Sequence, residues 1–283
     1  MIGLPANVRY TKHFAQQPLE AFMRGLKTLM LALSCLSAVA TAAEIAPVTK
    51  TKPLPDIRQS GFIYCVSGIL NTFNPQMASS GLTVDTLAAQ LYDRLLDVDP
   101  YTYRLIPELA QSWEVLDGGA TYVLHLRKDV PFQTTDWFKP TRKMNADDVV
   151  FSFNRMFDPN HPYHEVNGGH YPYFESLQFS DAVQSVRKLD NSTVEIRLKQ
   201  PDASFLWHLA THYAPILSSE YADNLAKKGK EEDIDRLPVG TGPFMLNEYH
   251  AGQYIRLDRN NAFWKGKPRM PQVIIDLGAG GTG

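Results

Sequence analysis

The stretch from residue 107 to residue 132 constrains the fold more than any other part of the chain. It reads PELAQSWEVLDGGATYVLHLRKDVPF, with two apolar runs on either side of Asp117-Gly118-Gly119. In the second run, apolar side chains occupy alternate positions at Tyr122, Leu124 and Leu126. A period of two is typical of a strand with one buried face, and Asp-Gly-Gly can supply the positive φ angles of a hairpin turn. The stretch therefore predicts an antiparallel hairpin with a structural role.

Helical and strand patterns alternate irregularly along the rest of the chain, which indicates a mixed α+β or α/β class. With 44% hydrophobic and 20% charged residues, the 283-residue chain can bury a substantial core. We expect helices around Val84–Leu95, after Asn145, after Asp202 and from Ser218 to Gly229, and a long loop over Asp158–Phe174. We expect further strands at Gly61–Leu70, Val183–Leu189, Thr193–Leu198, Phe244–Tyr249, Tyr254–Leu257 and Val273–Leu277.

Residues 1–43 have the pattern of a targeting segment. Met23-Arg24-Gly25-Leu26-Lys27 is a short basic start, and an apolar run of about eleven residues and the small residues Ala40-Thr41-Ala42 follow it. We expect a secretory signal peptide at 23–43, cleaved near Ala42 or Ala43, and an upstream extension at 1–22. Export implies an oxidising compartment, in which the single remaining cysteine, Cys65, is either buried and inert or lacks its partner.

The paired acids Asp147 and Asp148 allow two interpretations. They could be a catalytic or metal-binding carboxylate pair. They also lie two and three residues after Asn145, in the first turn of the expected helix, where carboxylates interact favourably with the helix dipole. We favour this capping role.

Two histidine sets could bind a metal, but neither has a complete ligand pattern. His164-Glu165 with His170 departs from H-E-x-x-H, because the second histidine is six positions after the first instead of four. His208 and His212 are four apart, with no third ligand at a recognisable spacing. We therefore expect solvent-facing or core histidines, and no metal or other cofactor.

Glycine-rich sequences near the end of the chain also leave alternatives open. Residues 278–283 match G-x-G-x-x-G, but a dinucleotide site needs a following helix and an acid about twenty residues on. Gly240-Thr-Gly242-Pro243 could hold an anion or form a tight turn. The net charge of −2 gives no basic footprint for nucleic acid. The chain contains neither a G-x-S-x-G elbow nor a Walker loop, so we expect no enzyme.

Several of these stretches together resemble the family 5 extracellular solute-binding proteins, the peptide- and nickel-binding components of ABC importers. The resemblance covers nearly all of residues 60–277 in the same order and spacing. It rests on Pro107–Glu114, Asp117-Gly118, Tyr122–Arg127, Val130–Phe132, Ala146–Ser152, Pro238–Pro243 and Asn260–Pro268.

This resemblance implies a bilobal periplasmic-binding-protein fold of the peptide-binding type, with two crossovers between the lobes. Residues 44–283 would form the first lobe and its extra subdomain, truncated before the second lobe. Ligand contacts would come from Ser79, Ser80, Gly81 and Leu82, largely through the backbone, and a simple lead-in to the helix is the alternative. Cys65 would pair with a cysteine in the second lobe, which would also hold the acid that anchors the peptide amine.

The resemblance also implies the setting and the partners. A periplasmic, monomeric binding component would deliver peptides, including antimicrobial peptides, to an inner-membrane permease with its ATPase subunits. A haem or metal-complex carrier of the same family and a non-functional truncated fragment are the alternatives.

Overall fold

The strands form three separate sheets. The computed structural model describes residues 61–79 and 81–278. Sheet 1 has the order β1-β10-β9-β8, sheet 2 pairs β2 with β3, and sheet 3 has the order β4-β5-β7-β6. The strands are β1 (Gly61–Cys65), β2 (Leu96–Val98), β3 (Leu105–Pro107), β4 (Ala110–Leu116), β5 (Thr121–Leu126), β6 (Val183–Asp190), β7 (Thr193–Leu198), β8 (Phe244–His250), β9 (Tyr254–Arg259) and β10 (Gln272–Asp276).

Helices are short, with one exception of 12 residues. A π-helical segment, Leu82–Ala88, continues into the α-helical turn α1 (Ala89–Leu91). The other helices are α2 (Ala146–Phe157), α3 (Pro172–Ser176), α4 (Phe179–Ala182), α5 (Phe205–His208) and α6 (Ser219–Ala226). Short 3-10 turns lie at Pro75–Met77, Asp117–Gly119, Val166–Gly168 and Glu231–Ile234. None of the helices in the described ranges is long and apolar enough to cross a membrane. The mixed α/β class is confirmed.

The hairpin predicted from the DGG turn is confirmed as β4 and β5. Three successive residues at the turn have positive φ: Asp117 at 51°, Gly118 at 65° and Gly119 at 100°. Tyr122, Leu124 and Leu126 are all buried, as the alternation indicates. The second hairpin, β6 and β7, extends sheet 3, and α2 packs across it.

The helix that carries Val84 and Leu87 ends four residues before Leu95. Tyr92 turns into extended backbone at φ −130° and ψ 156°. The Leu91 carbonyl accepts hydrogen bonds from the Gly242 amide and the Gln133 side chain, each at 3.1 Å. These tertiary partners replace the next helical hydrogen bond. Leu95 is nevertheless fully buried, because the apolar pattern continues after the helix stops.

Three smaller expectations are corrected. The first strand stops at Cys65 rather than Leu70. The N-cap of α5 is Ser204, whose amide and hydroxyl both donate to Asp202, so Asp202 stabilises the turn before the helix instead of capping it. The loop after Asp158 contains the short helix α3. In each case local sequence located the element, but packing fixed its ends.

Candidate functional site

The segment with the predicted ligand contacts lies between a 3-10 turn and the π-helical segment. Ser79 and Gly81 are exposed. The side chain of Leu82 belongs to the core. Ser80 lies outside the described residues. The segment therefore offers main chain and small side chains to solvent, with an apolar side chain fixed beneath it.

Buried polar contacts hold the start of this segment. The Asn74 side chain accepts from the Gln76 amide at 3.0 Å and donates to Asp235 at 2.7 Å. The Gln76 side chain donates to the Ser152 carbonyl at 2.9 Å, which attaches the turn to α2. The hydroxyl of Thr83 donates to the Thr72 carbonyl at 2.7 Å. These hydrogen bonds fix the backbone that leads to Ser79 and Gly81.

A fully buried ion pair lies under the same turn. The two terminal nitrogens of Arg155 donate to the two carboxylate oxygens of Asp235 at 2.8 and 2.6 Å. The Arg155 guanidinium also lies 5.9 Å from the centre of the Tyr171 ring, and Asn167 donates to Asp235 at 2.7 Å. Because every oxygen of the carboxylate has partners, the charge pair is compatible with burial.

The π-helical segment carries charged neighbours on its exposed side. Asp85 is exposed one turn after Gly81, and an added Cβ at Gly81 would lie 2.6 Å from its carboxylate. Burial and then the Arg94 guanidinium hold the pKa of His212 below its usual value, and the charge of Asp85 opposes this shift. Arg94 pairs with Asp97. π-Helical turns recur at functional sites, and this one places an acid beside the predicted ligand segment.

Sheet 1 has an exposed edge. All five residues of β1 are exposed, and the aromatic and aliphatic side chains of Phe62, Ile63 and Tyr64 are about half accessible. Beside Ile63, a cleft of about 440 Å³ opens over the end of the sheet, lined also by Gly252, Gln253, Tyr254, Ile274, Asp276 and Gly278. Sheet 1 therefore has an apolar edge and an apolar cleft at the end of the described chain.

Cys65 lies on the exposed strand β1, opposite Asp276. The alternative of a buried, inert thiol is wrong. A side chain at this edge has no neighbouring strand on its outer side within the described residues. The pairing of Cys65 with a cysteine of a second lobe stays a prediction.

The histidine sets are not brought together as metal ligands. His164 bonds to the Arg155 carbonyl at 2.8 Å, and His170 faces Glu175. His208 bonds to the Tyr173 hydroxyl at 2.9 Å, whereas His212 bonds to Arg94 at 2.6 Å. Among residues 61–79 and 81–278, no cluster of three or more His, Cys, Asp or Glu side chains is arranged for a metal ion.

Asp147 and Asp148 have the structural role expected at the start of α2. Asn145 caps the helix, and the Asp148 carboxylate accepts from the Asn145 amide at 2.8 Å, which completes a capping box. Asp148 is fully buried and also binds Arg142 at 2.6 and 2.8 Å. Asp147 is exposed and pairs with Lys188. Asp148 therefore completes the cap of α2, whereas Asp147 forms an exposed ion pair.

The glycine loop at residues 240–243 is a close-packing turn. An added Cβ at Gly240 would lie 2.0 Å from the Leu91 carbonyl oxygen, and one at Gly242 would lie 2.6 Å from the Gln90 carbonyl oxygen. The Gly242 amide donates a hydrogen bond to the Leu91 carbonyl. Glycine is required here because two backbones touch, and this favours the turn over an anion cradle.

A second buried polar cluster was missed by the sequence reasoning. Asp93 accepts from the Thr241 hydroxyl and the Trp264 indole, both at 2.8 Å, and Lys265 pairs with Glu108. The partners are separated by about 150 residues or more in each contact. The only available signal was that Glu108, Thr241, Trp264 and Lys265 belong to the stretches that carry the family resemblance.

The chain belongs to the bacterial extracellular solute-binding proteins, family 5. The family model, described as "Bacterial extracellular solute-binding proteins, family 5 Middle", matches residues 104–279. The family is one of solute-binding proteins, and the predicted membership is confirmed.

Particular relatives carry more specific names. The chain is 68% identical over 258 residues to the "Probable ABC transporter periplasmic-binding protein SapA" of Escherichia coli K12 and to the "Peptide transport periplasmic protein SapA" of Salmonella typhimurium LT2. Each match covers 91% of this chain and 46% of the relative. "Heme-binding protein A" of Haemophilus influenzae is 40% identical over 253 residues, with 88% and 46% covered. The chain thus spans about half the length of the curated relatives that it matches.

A solved structure shows the same fold. The dipeptide binding protein from Pseudoalteromonas sp. SM9913, in complex with Met-Leu, superposes with a TM-score of 0.76 at 39% identity. The match covers 77% of this chain and 43% of the solved chain. The fold of a peptide-binding member of family 5 is therefore confirmed for this part of the molecule.

Proposed function

We propose that the protein is the periplasmic substrate-binding component of an ABC transporter and that its ligands are peptides. The observation that carries the proposal is the 68% identity to two proteins named SapA, one of them described as a peptide transport protein. The superposed structure with Met-Leu supports the same ligand class, because that family 5 protein was solved with a dipeptide. The protein would bind its ligand and carry out no catalysis.

The proposal includes an arrangement of the chain. Residues 23–43 act as a secretory signal peptide after an upstream extension, and residues 44–283 form the first lobe of a two-lobed protein. Coverage of only 46% of the SapA relatives supports this assignment. A peptide would bind between the lobes, and closure would present the loaded form to an inner-membrane permease with its ATPase subunits.

In the first lobe, we assign the ligand contacts to Ser79, Ser80, Gly81 and the backbone of Leu82. Exposure of Ser79 and Gly81 supports this role. Main-chain hydrogen bonds suit a peptide ligand, because they do not depend on its side chains. Small residues at these positions also let another backbone approach closely.

Thermal unfolding with and without ligand tests the proposed function. A ligand that binds only the native state stabilises it by about 2.7 kcal/mol at a hundredfold excess over its Kd. We expect pools of di-, tri- and longer peptides, including cationic antimicrobial peptides, to raise the Tm of the full-length protein. Free amino acids at the same concentration serve as the control. An unchanged Tm with every peptide pool would contradict a peptide ligand.

Haem is a second candidate ligand, favoured by the 40% identity to Heme-binding protein A. Haem bound to a protein differs from free haem in its absorbance. Titration of the protein with haem, alone and in competition with the peptide pool, separates the two ligand classes. A saturable change in absorbance that peptides do not reverse would favour a haem carrier.

A further inference from the structure

The buried cluster around Glu108 joins parts of the chain that are distant in sequence. Glu108 directly follows β3, Asp93 follows α1, and Trp264 and Lys265 lie in the loop between β9 and β10. This loop, residues 260–271, is called the β9–β10 loop below. It leads directly into β10, the strand that pairs with β1.

Asn260 anchors the start of the β9–β10 loop by hydrogen bonds to the Pro243 and Gly242 carbonyls at 2.7 and 3.1 Å, and the side chains of Trp264 and Lys265 attach its middle. The Trp264 indole donates to the Asp93 carboxylate at 2.8 Å, and the ammonium of Lys265 pairs with the Glu108 carboxylate. The Trp264 ring makes cation–π contacts with Arg127 at 5.0 Å and with Lys265 at 4.9 Å from the ring centre. The tryptophan contact is polar and aromatic, whereas the lysine contact is a charge pair.

The charge pair is asymmetric in its access to water. The Glu108 side chain is 8% exposed, whereas that of Lys265 is 38% exposed. Lys265 can therefore leave the pair and become solvated, but Glu108 cannot. An ionised Glu108 left in place without Lys265 would be an uncompensated buried charge, which is costly. A protonated Glu108 would carry no such charge.

We propose that a proton and the ammonium of Lys265 compete for Glu108, so that acid releases the β9–β10 loop and higher pH holds it closed. The Asp93 carboxylate, which also faces Glu108, favours the protonated state by like-charge repulsion and by sharing a hydrogen bond. Arg127 bonds to the main-chain carbonyl of Glu108 at 2.6 Å and keeps the acid in position. This inference goes beyond the proposed function and needs no ligand.

The titration of Glu108 falls in a useful pH range. Burial, opposed by Lys265 and assisted by Asp93, raises the pKa of Glu108 from 4.5 to about 7. The remaining charges nearby are Arg94 and Asp97 on the neighbouring β2 segment. Burial opposes ionisation of Asp97, but its hydrogen bonds to Arg94 and to the Val98 amide lower its pKa. Asp97 therefore remains ionised through the range in which Glu108 titrates.

Through Glu108, rising pH favours closure of the β9–β10 loop but lowers the free energy of unfolding of the whole chain. When the loop opens, Glu108 loses Lys265 but remains buried, so its pKa rises further and closure becomes more favourable as pH increases. When the whole chain unfolds, Glu108 returns to its ordinary pKa of 4.5. For an acid with a raised pKa in the folded state, global stability falls as pH rises from about 4.5 to about 7.

Amide hydrogen exchange of residues 261–267 tests the switch. After correction for the intrinsic pH dependence of exchange, we expect protection to increase as the pH rises above about 7, by at most about tenfold per pH unit for one linked proton. Lys265→Met should give low protection at every pH. Glu108→Gln, which cannot ionise, should also remove the pH dependence. Lys267→Met, an exposed lysine in the same loop, is the matched control and should behave as the parent protein.

Several results would overturn the proposal. Constant protection across this pH range in the parent protein would show that Glu108 does not control the loop. Persistence of the pH dependence in Lys265→Met or in Glu108→Gln would assign it to other groups. Because the measurement is made without peptide, its failure leaves the peptide-binding proposal unaffected.

Discussion

At the scale of single residues, the described chain is organised around buried charges. The Arg155–Asp235 pair is almost completely excluded from water and links α2 to the loop after the 3-10 turn at Glu231–Ile234. Asp235 also accepts from Asn74, which fixes the turn before the predicted ligand segment. The buried pair therefore positions the predicted ligand segment through Asn74 and does not bind ligand itself.

Loss of one partner of this pair should be strongly destabilising. We expect Arg155→Met to lower the free energy of unfolding by about 3–5 kcal/mol, because Asp235 would remain buried with an uncompensated charge. The measurement is chemical denaturation at neutral pH. Arg187→Met is the control: the Arg187 side chain is 53% exposed and Glu195 keeps its second partner Arg197, so the loss should be about 0–1 kcal/mol. Equal losses in both variants would contradict the assigned role of burial.

At the scale of elements, capping and close contact determine where helices begin and end. The helix α2 begins at a capping box formed by Asn145 and Asp148. The turn α1 ends where Gly242 and Gln133 take the Leu91 carbonyl. The residues of the capping box are neighbours in sequence, whereas Leu91 is far in sequence from Gly242 and Gln133. The sequence could therefore predict the start of α2 but not the end of α1.

The capping role of the acid pair gives a graded prediction for α2. Asn145→Ala should destabilise the protein by about 1 kcal/mol, as loss of an N-cap does. Asp148→Ala should cost more than Asn145→Ala, because it removes the capping box and also leaves Arg142 without its carboxylate. Asp147→Ala should cost less than about 0.5 kcal/mol, because the Asp147–Lys188 pair is exposed. Thermal unfolding of the three variants gives this order, and a larger loss for Asp147→Ala than for Asp148→Ala would contradict it.

The glycine loop gives a second prediction at this scale. Gly240→Ala should destabilise the fold by about 3 kcal/mol, because the new methyl group would overlap the Leu91 backbone, which cannot move without shifting α1. Gly229→Asn is the control. Its position has open space and a positive φ of 62°, which asparagine tolerates. Denaturation midpoints compare the two, and a stable Gly240→Ala protein would show that the close contact is dispensable.

Structural features that depend on residues close in sequence could be predicted, whereas those that depend on distant residues could not. The DGG hairpin, the Asn145 cap and the three strands after residue 243 depend on neighbouring residues, and the sequence predicted them. The parallel pairing of β1 with β10 brings together residues about 210 positions apart. The Arg155–Asp235 and Lys265–Glu108 pairs likewise depend on the finished fold. No periodicity or turn signal specifies which distant charge will meet which.

For the candidate site, the sequence located the segment but not its support. Ser79 and Gly81 are exposed as a ligand contact requires, whereas the buried Leu82 side chain and the Asn74–Asp235 hydrogen bond appear only in the structure. The spacing of Val84, Leu87 and Leu91 predicted a helix at this point but did not reveal that Leu82–Ala88 is π-helical. Resemblance to the family, rather than local pattern, indicated the segment.

At the scale of the whole molecule, sheet 1 has an apolar edge at β1 and an apolar cleft beside it. An exposed strand edge with half-exposed Phe62 and Tyr64 is prone to association. Under the proposed two-lobed arrangement, this edge would lie at the boundary with the second lobe.

The chain alone should therefore bind peptide poorly and self-associate. Because the proposed binding cleft needs both lobes, we expect residues 44–283 to bind the peptide pool at least about a hundredfold more weakly than the two-lobed protein, a loss of about 2.8 kcal/mol. Isothermal titration and light scattering of the two proteins provide the comparison. Tight binding by a monodisperse 44–283 chain would show that the described lobe is sufficient.

A peptide that binds against the backbone at Ser79–Leu82 should lose affinity when bulk is added to this segment, and the Kd for peptide measures that loss. Gly81 has an ordinary helical φ of −61°, so Gly81→Val keeps the backbone, adds bulk to the exposed segment and displaces the exposed carboxylate of Asp85. Ala226→Val, which adds bulk at an exposed position on α6, is the control. We predict that Gly81→Val weakens peptide binding by the two-lobed protein at least about tenfold, or 1.4 kcal/mol, while Ala226→Val leaves the Kd unchanged. A folded Gly81→Val protein with the parental Kd would contradict peptide binding at this segment.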